Sequence, residues 1–478
     1  MSALYPWQAD EVAEHALVGK RGLFASPRVG KTRATIESMV RAGGFRRAVV
    51  LAPLAVAPFW LKQLREAGFE ARDGFSGTMQ QVGTELEMDR PEGVLVLNYE
   101  RLPDRYYART NTIVPGLLDT VLAWKPQALV ADESHYIKGP TTDHAKAARR
   151  IAKRAGWVRL LTGTPSPNDY GDLWGQLVCV DDRPLPNGWG SWTAFKNRHL
   201  VMDAVYPSRR VGHVNIPELQ ARLVRDARFV RREDVFGADQ YQEIERLVTL
   251  PDRAMEMYRT LARQWIVESP EDFGRCKADH ILTRLVRLQQ LAAGFLPDEG
   301  GMLHEVHDAK VKAVAADLDE IIESREKVVI FHKYRWEGAR YLELAQSLLG
   351  RGGVALQIGG DTPTAERERA KDLFNETPRP AILVAQTQSA GIGISLAEAT
   401  HAFFTTQTFS FAAEDQARDR IYKPGVPRVV THFITEGTVD EYIRDIIATK
   451  SNIHESVRLA DRQEMVHGKL RRSYRRIA

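Results

Sequence analysis

Short apolar runs rich in valine, isoleucine and leucine recur along the chain, separated by longer stretches with helical spacing. In the first half they are "GLFASP" (22–27), "RRAVVLAP" (46–53), "GVLVLNY" (93–99), "ALVADES" (128–134) and "WVRLLTGTP" (157–165). In the second half they are "KVVIFHK" (327–333), "VALQIGG" (354–360), "AILVAQT" (381–387), "HAFFTTQ" (401–407) and "RVVTHFIT" (428–435). Strands buried on both faces, as in parallel sheets covered by helices, read as such runs. The pattern therefore predicts an α/β fold with two parallel sheets, one in each half.

Between the two sets the character changes. "DDRPLPNGWG" is a turn-rich break. After it, Met257, Leu261, Ile281, Leu285, Leu288 and Ala292 recur at helical spacing, with Arg284 and Arg287 on the other side of the stripe. That side reads as a solvated basic face. The expected organisation is an α/β lobe over 1–180, a helical insertion and linker over 181–300, a second α/β lobe over 301–456 and a basic tail over 457–478.

The 478 residues suit two or three domains, and the apolar and charged fractions are ordinary for a globular protein. A formal net charge of +4 does not by itself mark a nucleic-acid binder. Locally, the tail "GKLRRSYRRIA" carries five cations and no acid, a run that can pair with phosphates or simply lie in solvent. Cys179 and Cys276 stand too far apart for a zinc motif and imply no disulfide framework. "HEVH", with His304 and His307, lacks a second ligand pair and reads as a surface loop. Acids at Asp10, Glu11 and Glu14 interrupt the start where a signal peptide needs an apolar core, and no apolar stretch approaches bilayer length. The expectation is a soluble intracellular, cytoplasmic protein.

Two stretches carry chemistry. In "FASPRVGKTRATIE" a short strand leads through a loop to Gly30, Lys31 and Thr32, and then to a helix pattern. Such a loop wraps backbone N–H groups around phosphates, with the lysine on the β/γ-phosphates and the hydroxyl on Mg²⁺. Ala25 stands where the G-x-x-x-x-G-K-[ST] pattern has its first glycine. About 100 residues later, "ALVADES" ends an apolar run at two adjacent acids, Asp132 and Glu133. One can hold Mg²⁺ through its water shell, and the other can orient or deprotonate the attacking water. The second half offers Gln416, Arg418, Arg420 and Lys423 in "EDQARDRIYKPG" to stabilise phosphoryl-transfer charge.

Further segments follow a known order: "LYPWQ", "SPRVGKT", "VVLAPLAVAPFW" with Trp60, "VLVLNYERL", "ADESHYIKG", "LLTGTPSPNDYGDLWGQL" and "RFVRREDV". In the second half come "KVVIFHKYR", "GGDTPTAERERAKDLFN", "TQSAGIGISLAEATHAFF", "DQARDRIYKPG" and "TEGTVDEYI". From Leu4 to about Lys450 the chain resembles the superfamily-two helicase-like ATPases, and among them the Swi/Snf-type double-stranded DNA translocases.

The resemblance implies two RecA-like lobes, with ATP and Mg²⁺ as cofactors. ATP would be held by Gln8 on the adenine, by Val29, Gly30, Lys31, Thr32 and Arg33, and by Gly391 and Gly393. Thr32 and Asp132 would serve Mg²⁺, Asp132 through water, and Glu133 would activate the attacking water. Gln416 and Arg420 would reach the γ-phosphate, joined by Lys423. His135, Thr162 and Thr164 would couple nucleotide state to lobe closure. Two departures stand out: Arg28 replaces a usual glycine of the phosphate loop, and Lys423 replaces a usual arginine. A lysine keeps the charge but loses the planar fork.

By the same resemblance, strand-end loops face the DNA track, with Pro53, Tyr99, Lys333, Thr387 and Ser389 as contacts to the phosphate backbone. The implied function is an ATP-driven motor on double-stranded or branched DNA. The competing readings are a strand-separating DNA or RNA helicase on the same engine and a nucleotide-gated DNA clamp that does not translocate.

Overall fold

The structure, a computed structural model, describes residues 3–88, 91–107, 111–206, 209–237, 241–267, 276–298, 301–390 and 394–458. The chain divides into two compact units: residues 1–238 with 450–478, and residues 239–449.

The first unit holds strands β1 (Lys20–Ala25), β2 (Arg47–Ala52), β3 (Ala71–Asp73), β4 (Gly93–Asn98), β5 (Arg105–Tyr107), β6 (Thr112–Val114), β7 (Ala128–Asp132), β8 (Trp157–Thr162), β9 (Leu200–Met202), β10 (Arg210–His213) and β11 (Ala227–Val230). Seven of them form one sheet in the order β11-β1-β8-β7-β2-β4-β3, with every pairing parallel. β5 with β6, and β9 with β10, form two small antiparallel hairpins.

Alternate residues of the central strands enter different cores. Val49, Leu51, Leu95, Leu97, Leu129 and Leu160 pack into one cluster, while Val50, Val94, Val96, Val130 and Leu161 pack into another. That two-sided burial is why these strands are apolar throughout rather than alternating. Each buried valine or leucine contributes roughly 1.5–3 kcal/mol over leaving it exposed.

The second unit holds β12 (Tyr241–Val248), β13 (Phe295–Pro297), β14 (Leu303–Glu305), β15 (Lys327–His332), β16 (Val354–Ile358), β17 (Ala381–Gln386), β18 (His401–Phe404) and β19 (Arg428–Thr435). Six make a second parallel sheet, β12-β19-β18-β15-β17-β16. Its two faces are filled by Val329, Phe331, Leu383 and Phe404 on one side, and by Val328, Ile330, Val384 and Phe403 on the other. The two parallel-sheet lobes expected from the apolar runs are present.

The stretch 181–300 differs from the expected helical insertion. It contains the helices Asp252–Val267 and Cys276–Ala292, yet it also supplies β11 to the first sheet and β12 to the second. The break between units falls near residue 238, and residues 450–458 group with the first unit, where Val457 is buried in the core. β12 escaped the pattern because it is an edge strand whose charges sit in ion pairs, Glu243 with Arg418 and Arg246 with Asp317. His307 is likewise not in an exposed loop: it is buried, its Nε2 2.8 Å from the Leu291 carbonyl. The tail beyond Arg458 lies outside the described residues. Among the described residues no helix is long and apolar enough to cross a membrane.

Candidate active site

Parallel pairing places the C-terminal ends of β1, β4, β7 and β8 on one edge of the first sheet. From β1 the chain turns through residues 26–30 into the helix Lys31–Arg41. The turn needs left-handed backbone twice, at Gly30 (φ 94°) and at Arg28 (φ 65°). Glycine accepts that conformation freely, and an arginine accepts it at a cost of about 1–2 kcal/mol. Gly30 has a second constraint, because a Cβ there would lie 2.3 Å from Nε2 of Gln8.

Gln8 is buried and holds the loop. Its Nε2 donates to the Gly30 carbonyl at 3.0 Å, and its Oε1 accepts from the Tyr5 N–H at 2.8 Å. Val29 is fully buried, which anchors the turn from below. The Lys31 ammonium donates to the Ala25 carbonyl at 2.9 Å, and so lies across the mouth of the loop. Thr32 and Arg33 follow in the first helical turn, both half-buried, with Arg33 reaching the Ala3 carbonyl at 3.3 Å.

Asp132 closes β7. Its Oδ2 accepts the Trp60 indole N–H at 2.7 Å, its Oδ1 accepts the Glu133 N–H at 3.0 Å, and its carbonyl accepts the Tyr99 hydroxyl at 2.6 Å. Burial pushes its pKa up to about 6, and the neighbouring Glu133 charge pushes the same way, against the opposing pull of the Trp60 N–H and the Lys31 ammonium. Each carboxylate oxygen keeps a lone pair beyond these bonds.

Glu133 sits at φ 50°, a left-handed position that a non-glycine residue holds only when its surroundings fix it. Those surroundings are His135 and Thr162. Glu133 Oε2 accepts from Thr162 Oγ1 at 3.3 Å and lies 3.3 Å from His135 Nδ1, which is 3.0 Å from Thr162 Oγ1. The Thr164 N–H donates to Thr162 Oγ1 at 3.0 Å. The structure therefore brings Glu133, His135, Thr162 and Thr164 into one hydrogen-bonded group.

Several supporting residues were not read from the sequence. Ser134 donates to Gln176 Oε1 at 2.8 Å, and Gln176 in turn donates to the Pro165 carbonyl at 2.7 Å, tying the strand ends of β7 and β8 together. His454 Nε2 lies 3.1 Å from the Gly163 carbonyl. One signal was available for Trp60: a tryptophan among core positions buries an N–H that must find an acceptor.

In the second unit, Gln416 lies on the helix Phe411–Arg418, Arg420 on the 3₁₀ turn Asp419–Ile421, and Lys423 just beyond it. Arg418 is tied into ion pairs with Glu243 and Asp415. Arg420 NH1 is 3.4 Å from the Ile394 carbonyl, and Lys423 pairs with Glu398 at 2.8 Å. Gly391 and Gly393 lie outside the described residues.

Of the five positions expected at a DNA track, Pro53, Tyr99, Lys333 and Thr387 follow directly on β2, β4, β15 and β17. Tyr99 is buried, with its hydroxyl on Asp132 and its ring stacked on Tyr136. The Thr387 hydroxyl is buried and donates to the His332 carbonyl at 3.1 Å. The Lys333 ammonium donates to Gln289 and lies 5.1 Å and 5.5 Å from the rings of Tyr334 and Phe409. The Tyr99 and Thr387 hydroxyls are satisfied within the fold, as polar groups at a buried strand end must be, while Lys333 is half-buried. Pro53 is buried at the end of β2 with Leu54 and Ala55 exposed beside it, and Ser389 falls in the short turn Thr387–Ala390, its side chain outside the description.

Residues 313–425 match the helicase conserved C-terminal domain. A SWI/SNF-related regulator of chromatin, subfamily A-like protein 1, from Xenopus tropicalis is 24% identical over 76% of this chain and 37% of its own length. The DNA annealing helicase and endonuclease ZRANB3 of Bos taurus is 23% identical over 73% of this chain and 31% of its own. Over most of its length the chain is similar to Swi/Snf-related helicase-like proteins. The chain spans about a third of the length of the curated relatives it matches. A solved Sulfolobus solfataricus SWI2/SNF2 ATPase core in complex with dsDNA aligns over 96% of the chain and 94% of its own, at 20% identity and a TM-score of 0.41.

Proposed function

We propose that the chain is an ATP-hydrolysing motor that tracks along double-stranded DNA and remodels protein–DNA or branched DNA structures. The observation that carries this reading is the pair Asp132 and Glu133 at the end of β7, with the Lys31 ammonium near enough to lower the proton affinity of Asp132. A carboxylate kept this dry is poised to take up positive charge, and the loop that ends at Gly30, ahead of Lys31, can turn backbone N–H groups toward phosphate.

In this reading Lys31 would leave the Ala25 carbonyl for the β/γ-phosphates, Thr32 and, through water, Asp132 would hold Mg²⁺, and Gln8 and Arg33 would flank the nucleotide. Bound Mg²⁺ supplies charge neutralisation for the phosphates. Glu133 takes the proton of the attacking water, with His135 and Thr162 fixing its carboxylate. Thr164 reports on that carboxylate through its N–H to Thr162. Gln416, Arg420 and, more weakly, Lys423 stabilise charge on the γ-phosphate. The names of the two relatives, a chromatin regulator and a DNA annealing helicase, favour duplex or branched DNA as the polymer.

The test is ATP turnover measured side by side with duplex DNA, single-stranded DNA, forked DNA and RNA. Stimulation by duplex or forked DNA, falling steeply with salt and indifferent to base sequence, is expected for backbone tracking. Stimulation by RNA with none from duplex DNA overturns the proposal in favour of an RNA-directed helicase. Tight duplex binding and hydrolysis without movement on DNA identify a clamp.

A further inference from the structure

Directly after β4 the chain rises into the hairpin β5–β6, from the sheet edge that carries Asp132 and Glu133. The stalk is firmly built. Leu102 and Leu117 are buried at its base, the Leu117 N–H donates to the Arg101 carbonyl at 2.9 Å, and the Gly116 N–H donates to Asp104 at 2.8 Å. Gly116 is packed so closely that a Cβ would lie 2.2 Å from the Leu102 carbonyl oxygen. The tip is the opposite. Tyr106 and Ile113 face each other across the hairpin, and they are 64% and 65% exposed.

An apolar cross-strand pair normally adds stability by covering a neighbour, and two-stranded hairpins are marginal without such cover. Here a rigid base holds an uncovered aromatic and aliphatic pair out in solvent. The size of the pair narrows what covers it. The two side chains offer roughly 250 Å², well short of the ~800 Å² per partner of a stable protein interface, but enough for one flat ring. Two guanidinium groups nearby rest on carbonyl oxygens, Arg105 on that of Glu100 and Arg101 on those of Gly74, Ser76 and Gly77, with the acids Glu100 and Asp104 beside them in the chain.

We propose that Tyr106 and Ile113 form a stacking platform for one unpaired base, with Arg105 beside it for the adjoining phosphate. The proposal rests on the DNA-tracking function above and specifies its substrate as duplex bearing a single-stranded branch. An unpaired base presents a ring face that stacks on an aromatic side chain whatever its sequence, whereas bases within a continuous duplex have no free face.

The experiment is equilibrium binding of the full chain to labelled forked DNA and to fully paired duplex of equal length, without nucleotide. Wild type, Tyr106→Ala and Tyr106→Phe are compared. Tyr106→Ala is expected to weaken fork binding about tenfold and to leave duplex binding nearly unchanged. Tyr106→Phe, which keeps the ring and loses only the hydroxyl contact to Asn111, should bind both as wild type does. If Tyr106→Ala lowers the melting temperature, Ile113→Thr, which keeps a β-branched residue in the strand, repeats the comparison. Equal losses on both DNAs, or no loss on the fork, overturn the inference, and the latter leaves the hairpin as a surface for protein. A wild type that binds neither DNA defeats the motor reading as well, so the two failures are distinguishable.

Discussion

The Trp60 indole N–H donates to Oδ2 of Asp132 across 2.7 Å, with both side chains buried. An N–H on a buried carboxylate stabilises its charged form, so the helix Ala57–Glu66 helps prepare Asp132 for a cation. Trp60→Phe keeps the bulk and removes the donor. It should destabilise the protein by about 1–3 kcal/mol and weaken Mg²⁺-dependent nucleotide binding more at pH 6 than at pH 8, because Asp132 then holds its proton more tightly. Thermal melts and nucleotide titrations at the two pH values check this.

Glu133 is held by Thr162 and His135 beside Asp132. Glu133→Gln keeps an acceptor for Thr162 and loses the base. Nucleotide should still bind, while turnover falls by at least ~100-fold. A variant with wild-type turnover removes Glu133 from catalysis.

Arg28 occupies a left-handed position in the loop between β1 and Lys31. Arg28→Gly should preserve the loop and nucleotide affinity, since glycine adopts this backbone without strain. Arg28→Ile should destabilise by about 1–2 kcal/mol or more and weaken nucleotide binding, because a β-branched residue resists it. Chemical denaturation of both variants, with and without nucleotide, separates the two effects.

Lys423 pairs with Glu398 through side chains that are 43% and 44% exposed. Exposed pairs contribute at most ~1 kcal/mol, so Lys423→Ala should leave stability unchanged. Arg420→Ala should abolish DNA-stimulated turnover with nucleotide binding nearly intact, Lys423→Ala should cost less, and Lys423→Arg should retain or raise the rate. Equal damage from Arg420→Ala and Lys423→Ala, read as kcat, reverses the ranking and makes the lysine a principal contact.

Glu414 is buried and accepts the Thr408 N–H at 2.7 Å, and burial pushes its pKa from 4.5 up to about 8. The folded form therefore holds a proton that the unfolded chain releases. Stability from this group is full below pH 4.5 and declines as pH rises from there towards 8. Glu414→Gln retains an acceptor and removes the titration. It should be more stable than wild type at pH 8 by on the order of 1–3 kcal/mol and show a flatter pH profile in urea titrations.

Much of this protein was legible in its sequence. Ten apolar runs correspond to ten strands of the two parallel sheets, because strands covered on both faces favour apolar residues along their length. The loop from β1 to Lys31 and the Asp132–Glu133 pair were legible as strand-end features for a related reason: their groups are contiguous, and strand-end geometry follows from local sequence. Position alone did not reveal orientation. Tyr99, Thr387 and Lys333 lie at strand ends as expected, yet each turns its polar atom to an acceptor contributed by another segment.

Three sheet strands were also beyond the pattern: β3 is three residues long, β11 four, and β12 carries alternating charges on an edge. Only tertiary structure decided that Trp60 would meet Asp132, 72 residues away, or that Ser134 would meet Gln176. Such bonds are set by which buried donors and acceptors the packed helices and sheets bring within reach. A linear sequence specifies that each buried polar group needs a partner, and the fold selects which one it finds.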